Sequence, residues 1–277
     1  MEEMSARGRA EGAPRIAASS YLNTAPLIWS FTRGDRRREV RLLTDTAPAR
    51  CADLLARGEV EASLVPMIEY QRIPEIAVVP GVCVGTRSRV RSVVIATRGA
   101  ELKDVRTVAL DTSSRTSVAL VHIIFREFLG FEPEWRPCAP DLRAMLETND
   151  AALMIGDPAM IFPREELRVF DLASLWRGLT GLGFVFAMWM MHESAAERVR
   201  AADFAGARDE GLEHVEEIIN DYESSLGLPR SELRAYLLED ISFDLDAEMR
   251  AGLDLYYTLA HKHGIIPAVR PLKMIRT

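Results

Sequence analysis

Short apolar segments alternate with amphipathic ones over the first two thirds of the chain, and this alternation most restricts the possible folds. The apolar segments have the length and composition of buried strands, and the residues between them include helical spacings. The predicted strands are 15–18, 40–43, 62–65, 76–84, 92–97, 107–110, 151–155 and 184–190. Such alternation indicates an α/β fold, in which helices and sheets form separate layers.

The pattern changes after His192, where long helical stretches follow at 205–226, 230–238 and 247–263. Gly227 and Pro229 separate the first stretch from the second. The C-terminal third is therefore predicted to be mostly helical. The longest apolar stretch, 183–191, is too short to cross a bilayer and is predicted to be a buried strand.

Composition and charge narrow the class of protein. The chain has 277 residues, of which 48% are hydrophobic, so it can bury a sizeable core and favours two lobes over one. The net charge of −7 argues against nucleic-acid binding. Cys51, Cys83 and Cys138 lie far apart in sequence, which favours neither disulfides nor a zinc site. Because residues 1–14 lack the apolar run of a secretory signal, we expect a disordered extension and a cytoplasmic protein.

An internal similarity links two parts of the chain. Residues 53–66 and 142–157 each read as a helix, a turn and a buried strand. Ligands of open α/β sheets bind beyond the carboxyl ends of strands, so Pro66 and Gly156 should approach one cleft from two lobes. Asp157 follows Gly156, and it could either cap a helix or orient a hydroxyl of the ligand.

A hydroxyl-rich turn lies between a short apolar strand and an amphipathic helix within 105–130. Its hydroxyl residues are Thr112, Ser113, Ser114, Thr116 and Ser117. Unpaired backbone N–H groups at a helix start carry partial positive charge, and the hydroxyls add donors, so the turn suits a carboxylate or phosphate. Ordinary N-capping is the alternative, although one Ser or Thr suffices for that.

A series of segments, in this order, resembles the chorismate dehydratases of the futalosine route to menaquinone, the MqnA family. The segments are 15–27, which contains Ser-Tyr-Leu-Asn-Thr, then 48–58, 64–69, 90–94, 110–117, 155–157 and 179–189. The resemblance runs from about Arg15 to near the C-terminus.

The resemblance implies a two-lobed periplasmic-binding-protein-like fold of type II, with a two-stranded hinge and a helical C-terminal part. The hinge crossings are expected near 90–97 and 184–192. Lobe 1 would then comprise residues 15–97 and 184–277, and lobe 2 would comprise residues 98–183. Many relatives have Pro at the position of Gly183, so we expect a looser second crossing here.

The resemblance also implies an activity. Chorismate would lose its ring hydroxyl as water, together with a ring proton, to give 3-(1-carboxyvinyloxy)benzoate, so the protein would be a hydro-lyase. The family's catalytic Asn and Ser match Asn23 and Ser92. By themselves, Asn23 is more typical of a turn and Ser92 of a small strand residue. The predicted substrate-binding residues are Ser20, Tyr21, Thr112, Ser113, Ser114, Thr116, Ser117 and Asp157.

The motifs contain no obvious His or Lys base, which suggests that a substrate carboxylate takes the ring proton. Metal-ligand spacing, Walker motifs and dinucleotide motifs are absent, so we expect no metal and no cofactor. The expected partner is chorismate, with no nucleic acid or membrane, and the protein would be a monomer or homodimer. Two alternatives are 1,4-dihydroxy-6-naphthoate synthase of the same route and a non-catalytic solute-binding protein. The Ser-Tyr-Leu-Asn-Thr segment favours the dehydratase over the synthase.

Overall fold

Two five-stranded sheets organise the computed structural model, which describes residues 12–275. The strands are β1 (Arg15–Ser19), β2 (Arg41–Asp45), β3 (Ala62–Pro66), β4 (Ile76–Thr86), β5 (Val93–Thr97), β6 (Thr107–Asp111), β7 (Glu134–Cys138), β8 (Ala151–Ile155), β9 (Arg168–Asp171) and β10 (Phe184–His192). The first sheet has the order β2-β1-β3-β10-β4, and the second has the order β7-β6-β8-β5-β9. The predicted α/β fold is thereby confirmed.

The two sheets share one plan. In each, three parallel strands are followed by an antiparallel fourth, which is β10 in the first sheet and β5 in the second. The two similar sequence units contribute equivalent strands, because β3 and β8 both occupy the third position. The carboxyl ends of the parallel strands can therefore form matching edges in the two sheets.

The structure differs from the predicted lobe limits at the first crossing. Residues 15–97 were assigned to lobe 1, but β5 belongs to the second sheet, where Val94 pairs with Met154 of β8 and Asp171 of β9. The chain therefore leaves the first sheet after Thr86 and enters the second at Val93. The other limits stay a prediction.

The predicted N-terminal extension, residues 1–14, lies outside the described residues as far as residue 11. The Pro14 carbonyl already accepts the Arg41 N–H at 2.8 Å. Backbone pairing with the first sheet thus begins just before β1.

Helices surround both sheets. They are α1 (Ala25–Thr32), α2 (Pro48–Ala56), α3 (Thr116–Ile123), α4 (Leu142–Thr148), α5 (Pro158–Ile161), α6 (Leu172–Thr180), α7 (Ala196–Val199), α8 (Phe204–Glu213), α9 (Val215–Leu226), α10 (Arg230–Ala235) and α11 (Ala247–Lys262). Two of them continue as π-helical segments, α3 into Ile124–Leu129 and α10 into Tyr236–Asp240. Within residues 12–275, no helix combines the length and apolar character needed to span a bilayer.

The C-terminal third is mostly helical, as predicted, but one predicted helix is divided into two. The predicted helix 205–226 is two helices, α8 and α9, which meet at His214. The His214 ring stacks on Trp29 of α1, with 3.8 Å between ring centroids and 10° between planes. This stacking packs the junction between α8 and α9 against α1.

Gly183 lies in a tightly packed position rather than a loose one. A Cβ atom added to Gly183 would lie 2.7 Å from the Met249 Cγ of α11. A Cβ atom on Gly252 of α11 would overlap the Gly183 carbonyl oxygen, which also accepts the Trp176 indole N–H at 3.1 Å. The second crossing is therefore held against α11 by backbone contact.

We predict that Gly252→Ala lowers the free energy of unfolding by about 1–3 kcal/mol, because the added methyl group forces α11 away from Gly183. This loss should exceed the helix-propensity gain of about 1 kcal/mol. Gly178→Ala in α6 is the matched control, since no heavy atom lies within 4 Å of its added Cβ. Urea denaturation measures both variants, and equal effects would contradict the packing argument.

Candidate active site

A cavity lies where the carboxyl ends of the parallel strands of the two sheets face each other. Pro66 at the end of β3 and Gly156 after β8 both line it, as the sequence predicted. Several predicted site residues also line it, namely Tyr21, Asn23, Ser114, Thr116 and Ser117. The cavity thus combines the loop after β1 with the start of α3.

The remaining predicted residues lie behind or beside this lining. Ser20 does not line the cavity, and its hydroxyl donates to the Asp45 carbonyl at 3.3 Å. Thr112 is exposed, and its N–H donates to the Cys138 carbonyl at 3.1 Å. The positions of Ser20 and Thr112 therefore give no support to a role in binding.

Asp157 joins the two sides of the cleft. Its carboxylate accepts the backbone N–H of Leu22 at 3.0 and 3.3 Å, and Leu22 begins a 3₁₀ turn, Leu22–Thr24, after β1. The side chain makes no capping hydrogen bond to α5, so it does not act as a helix cap. Asp157 instead holds the turn that carries Asn23.

Burial changes the protonation of the groups around Asp157. Desolvation raises the pKa of the Asp157 carboxyl to about 6, although the Leu22 N–H opposes the rise. Desolvation also raises the pKa of Tyr21 to about 12, while a hydrogen bond with Ser113 opposes it. The Tyr21 phenol is therefore neutral near pH 7, whereas Asp157 titrates close to neutrality.

We predict that Asp157→Asn makes the protein more stable, relative to wild type, as the pH rises from 4 to 7. The folded-state pKa of about 6 lies above an unfolded value of about 3.9, so the stabilisation by protonated Asp157 is complete below about pH 4. That stabilisation disappears as the pH rises through 6, and at most about 3 kcal/mol is lost. An amide oxygen can still accept the Leu22 N–H.

Chemical denaturation at several pH values measures this effect. Asp150→Asn is the control with the opposite sign, because the N–H groups of Arg106 and Thr107 lower the pKa of Asp150. An Asp157→Asn variant that tracks wild type at every pH would refute the assignment.

The start of α3 offers unpaired hydroxyls to the cavity. No side chain caps α3, so ordinary capping does not account for the hydroxyl-rich turn. The hydroxyls of Ser114 and Ser117 have no hydrogen-bond partner among residues 12–275, and both residues line the cavity. With the N–H groups of the first helical turn, they form a set of neutral donors.

Two other hydroxyls of this turn have structural partners. The Ser113 hydroxyl donates to Asp111 Oδ1 at 2.5 Å, which fixes the turn before the helix. The Thr116 hydroxyl accepts the Ile68 N–H at 3.2 Å, across the cleft from the first-sheet side. These contacts hold the turn in place and leave Ser114 and Ser117 free for a ligand.

Arg115 is a cavity residue that the sequence reasoning did not select. Its guanidinium donates to Glu69 at 2.8 Å and to Asp53 at 2.5 Å, both on the first-sheet side. Of the described residues, it is the one charged group that lines the cavity. Its charge is paired with these two carboxylates, and the other donors of the lining are neutral hydroxyl and amide groups. Its position within the hydroxyl-rich turn was the available sequence signal.

Ser92 does not itself line the cavity, although Val90 and Val93 on either side of it do. Ser92 is fully buried, and its hydroxyl oxygen accepts the Tyr236 phenol O–H at 2.6 Å. Burial raises the pKa of this phenol, and the nearby Asn23 side chain opposes that rise. The structure therefore places Tyr236 in contact with Ser92 and near Asn23. Sequence periodicity gave no signal for this role, because a buried Tyr in a helical stretch is typical of a core residue.

No group of His, Cys, Asp and Glu side chains in the described range 12–275 has an arrangement that could hold a metal ion. The predicted absence of a cofactor stays a prediction.

Paired sheets of this topology, with a cavity between their strand ends, define a periplasmic-binding-protein-like α/β protein. The E. coli periplasmic aliphatic sulphonate binding protein SsuA superposes with a TM-score of 0.63 at 17% identity, covering 96% of this chain and 94% of that one. An Archaeoglobus fulgidus protein superposes with a TM-score of 0.75 at 18% identity, covering 92% and 99%. At these identities the likeness concerns the fold.

Sequence comparison identifies the family. The family model described as menaquinone biosynthesis matches residues 14–262. A chorismate dehydratase from Thermus thermophilus is 31% identical over 255 residues, which is 85% of this chain and 91% of that protein. The chain belongs to the menaquinone biosynthesis family, as the resemblance of its motifs indicated.

Proposed function

We propose that the protein is a chorismate dehydratase, a hydro-lyase that converts chorismate to 3-(1-carboxyvinyloxy)benzoate. Family membership and the Thermus thermophilus relative support this activity. One observation of the site carries the proposal furthest. The cavity presents neutral donors, from Asn23 and the start of α3, while its charged residue, Arg115, is already paired.

The substrate's chemistry suits such a cavity. Chorismate carries two carboxylates, and neutral hydroxyl and amide donors can bind a carboxylate without neutralising it. Elimination gives an aromatic ring and is downhill, so the protein must mainly orient the substrate and stabilise developing charge. A cavity without a free base is compatible with this chemistry.

In the proposed reaction, the substrate supplies its own base. The ring C–H bond breaks as one substrate carboxylate accepts the proton, its electron pair completes the aromatic ring, and the ring C–OH bond breaks. The departing hydroxyl leaves as water after gaining that proton. Asn23 and Ser92 hold the carboxylate and the departing hydroxyl, while Ser114 and Ser117 bind a carboxylate at the start of α3.

The proposed compartment is the cytoplasm. The three cysteines, Cys51, Cys83 and Cys138, are free thiols rather than disulfides, which agrees with a reducing environment. The proposed partner is the small-molecule substrate, and the protein acts as a monomer or homodimer.

Purified protein incubated with chorismate should form a product lighter by one water, as detected by mass spectrometry. Treatment with EDTA should leave the rate unchanged, because no step requires a metal. Activity that disappears with EDTA and returns with a divalent ion would overturn the metal-free proposal. Binding of chorismate without turnover would indicate a solute-binding protein. Turnover of cyclic dehypoxanthinylfutalosine instead would indicate the naphthoate synthase.

We predict that Asn23→Ala and Ser92→Ala each lower kcat for chorismate at least about tenfold, because each removes a donor to a charged group in the transition state. The KM should change much less, since the contacts at α3 remain. Ser225→Ala is the control, because its hydroxyl is exposed and donates to the Tyr222 carbonyl on α9. Near-normal kcat in both site variants would exclude these roles, and Asp157 would be the next residue to test.

A further inference from the structure

The turn that carries Ser92 has an unusual backbone. Arg91 has φ of +60°, which an L side chain rarely adopts. The Ser92 N–H donates to the Val90 carbonyl at 2.6 Å, two residues earlier, which closes a three-residue turn centred on Arg91. Strained turns of this kind persist only where the surrounding structure holds them.

Two neighbours hold this turn from different elements. The Asp171 carboxylate accepts the N–H groups of Val90 at 3.0 Å and of Arg91 at 2.6 Å. The Arg91 guanidinium donates to Glu232 of α10 at 2.6 Å. The turn is thus fixed to the second sheet on one side and to α10 on the other.

A third contact, made to Ser92 itself, comes from the π-helical segment that continues α10. Tyr236 is the first residue of the π-helical segment that continues α10, and it is fully buried. Local π-helix often occurs at functional sites. Its phenol O–H donates to the Ser92 hydroxyl oxygen at 2.6 Å. One helical unit therefore holds both the strained turn and the side chain that it presents.

We propose that Tyr236 is a positioning residue that orients the Ser92 hydroxyl for the dehydration of chorismate. This inference rests on the function proposed above. Because the Ser92 oxygen accepts from Tyr236, the hydrogen of Ser92 is directed elsewhere and can be donated to the departing hydroxyl of the substrate.

The environment of Tyr236 keeps it in the role of a donor. Complete burial holds the pKa of its phenol well above the ordinary value, so the O–H stays protonated at all working pH values. Neither Tyr236 nor Ser92 lines the cavity, but Val90 and Val93 on either side of Ser92 do, so Tyr236 is placed to act through Ser92 rather than on the substrate.

The test compares Tyr236→Phe with Tyr257→Phe. Tyr257 is also buried, and its hydroxyl donates to the Met67 carbonyl at 2.7 Å, so its replacement removes an equivalent buried hydrogen bond elsewhere. Tyr236→Phe should lower kcat for chorismate about tenfold and change KM less than about threefold. Tyr257→Phe should keep kcat within about twofold of wild type, with thermal melting used to check that both variants fold.

A double-mutant cycle distinguishes positioning from a general structural role. In a Ser92→Ala background, Tyr236→Phe should cost less than about threefold in kcat, because the group through which it acts is gone. A full tenfold loss in both backgrounds would overturn the proposal. Equal kcat in the two Phe variants would also overturn it, as would failure of Tyr236→Phe alone to fold. If the wild-type protein does not dehydrate chorismate, it is instead the proposed function that fails.

Discussion

The hydrogen bond between the Leu22 N–H and the Asp157 carboxylate ties together the strand ends of the two sheets. Each partner lies in the loop after a parallel strand, Leu22 after β1 and Asp157 after β8, so this contact sets the distance between the loops that form the cavity. Gly156 makes the approach possible, because it has φ of +65° and any Cβ atom there would overlap the Tyr21 ring. The cavity thus depends on a missing side chain beside a buried carboxylate.

The charges around the cavity are also set by a contact across the cleft. The ion pair of Arg115 with Glu69 crosses the cleft. The Arg115 guanidinium would otherwise bind an anionic ligand, but Glu69 already neutralises it. A buried Arg left unpaired would be costly, and a buried carboxylate beside the ligand would repel it. Neutral donors avoid both costs, and they leave a substrate carboxylate basic enough to accept a proton. In the proposed reaction, the low charge of the cavity lining therefore allows the substrate carboxylate to act as the base.

The sequence predicted what is local and buried. Central strands such as β8 are apolar throughout, so periodicity found them, whereas the edge strands β7 and β9 are partly exposed and were missed. Asn23 and Ser117 were selected because each lies in a compact motif. Tyr236 was missed because its contact with Ser92 joins residues 144 positions apart, and no local pattern records such a pairing. The membership of β5 was misassigned for the same reason, since strand partners are non-local.

The helical C-terminal third contacts both segments of chain that connect the two sheets. Both chain crossings contact it: Arg91 in the first pairs with Glu232 of α10, and Gly183 at the second packs on Gly252 of α11. Strain of about 1–3 kcal/mol at Arg91 is tolerable because Asp171 and Glu232 offset it. Because α10 contacts Arg91 and its π-helical continuation contacts Ser92, one helical unit holds both the turn and the Ser92 side chain.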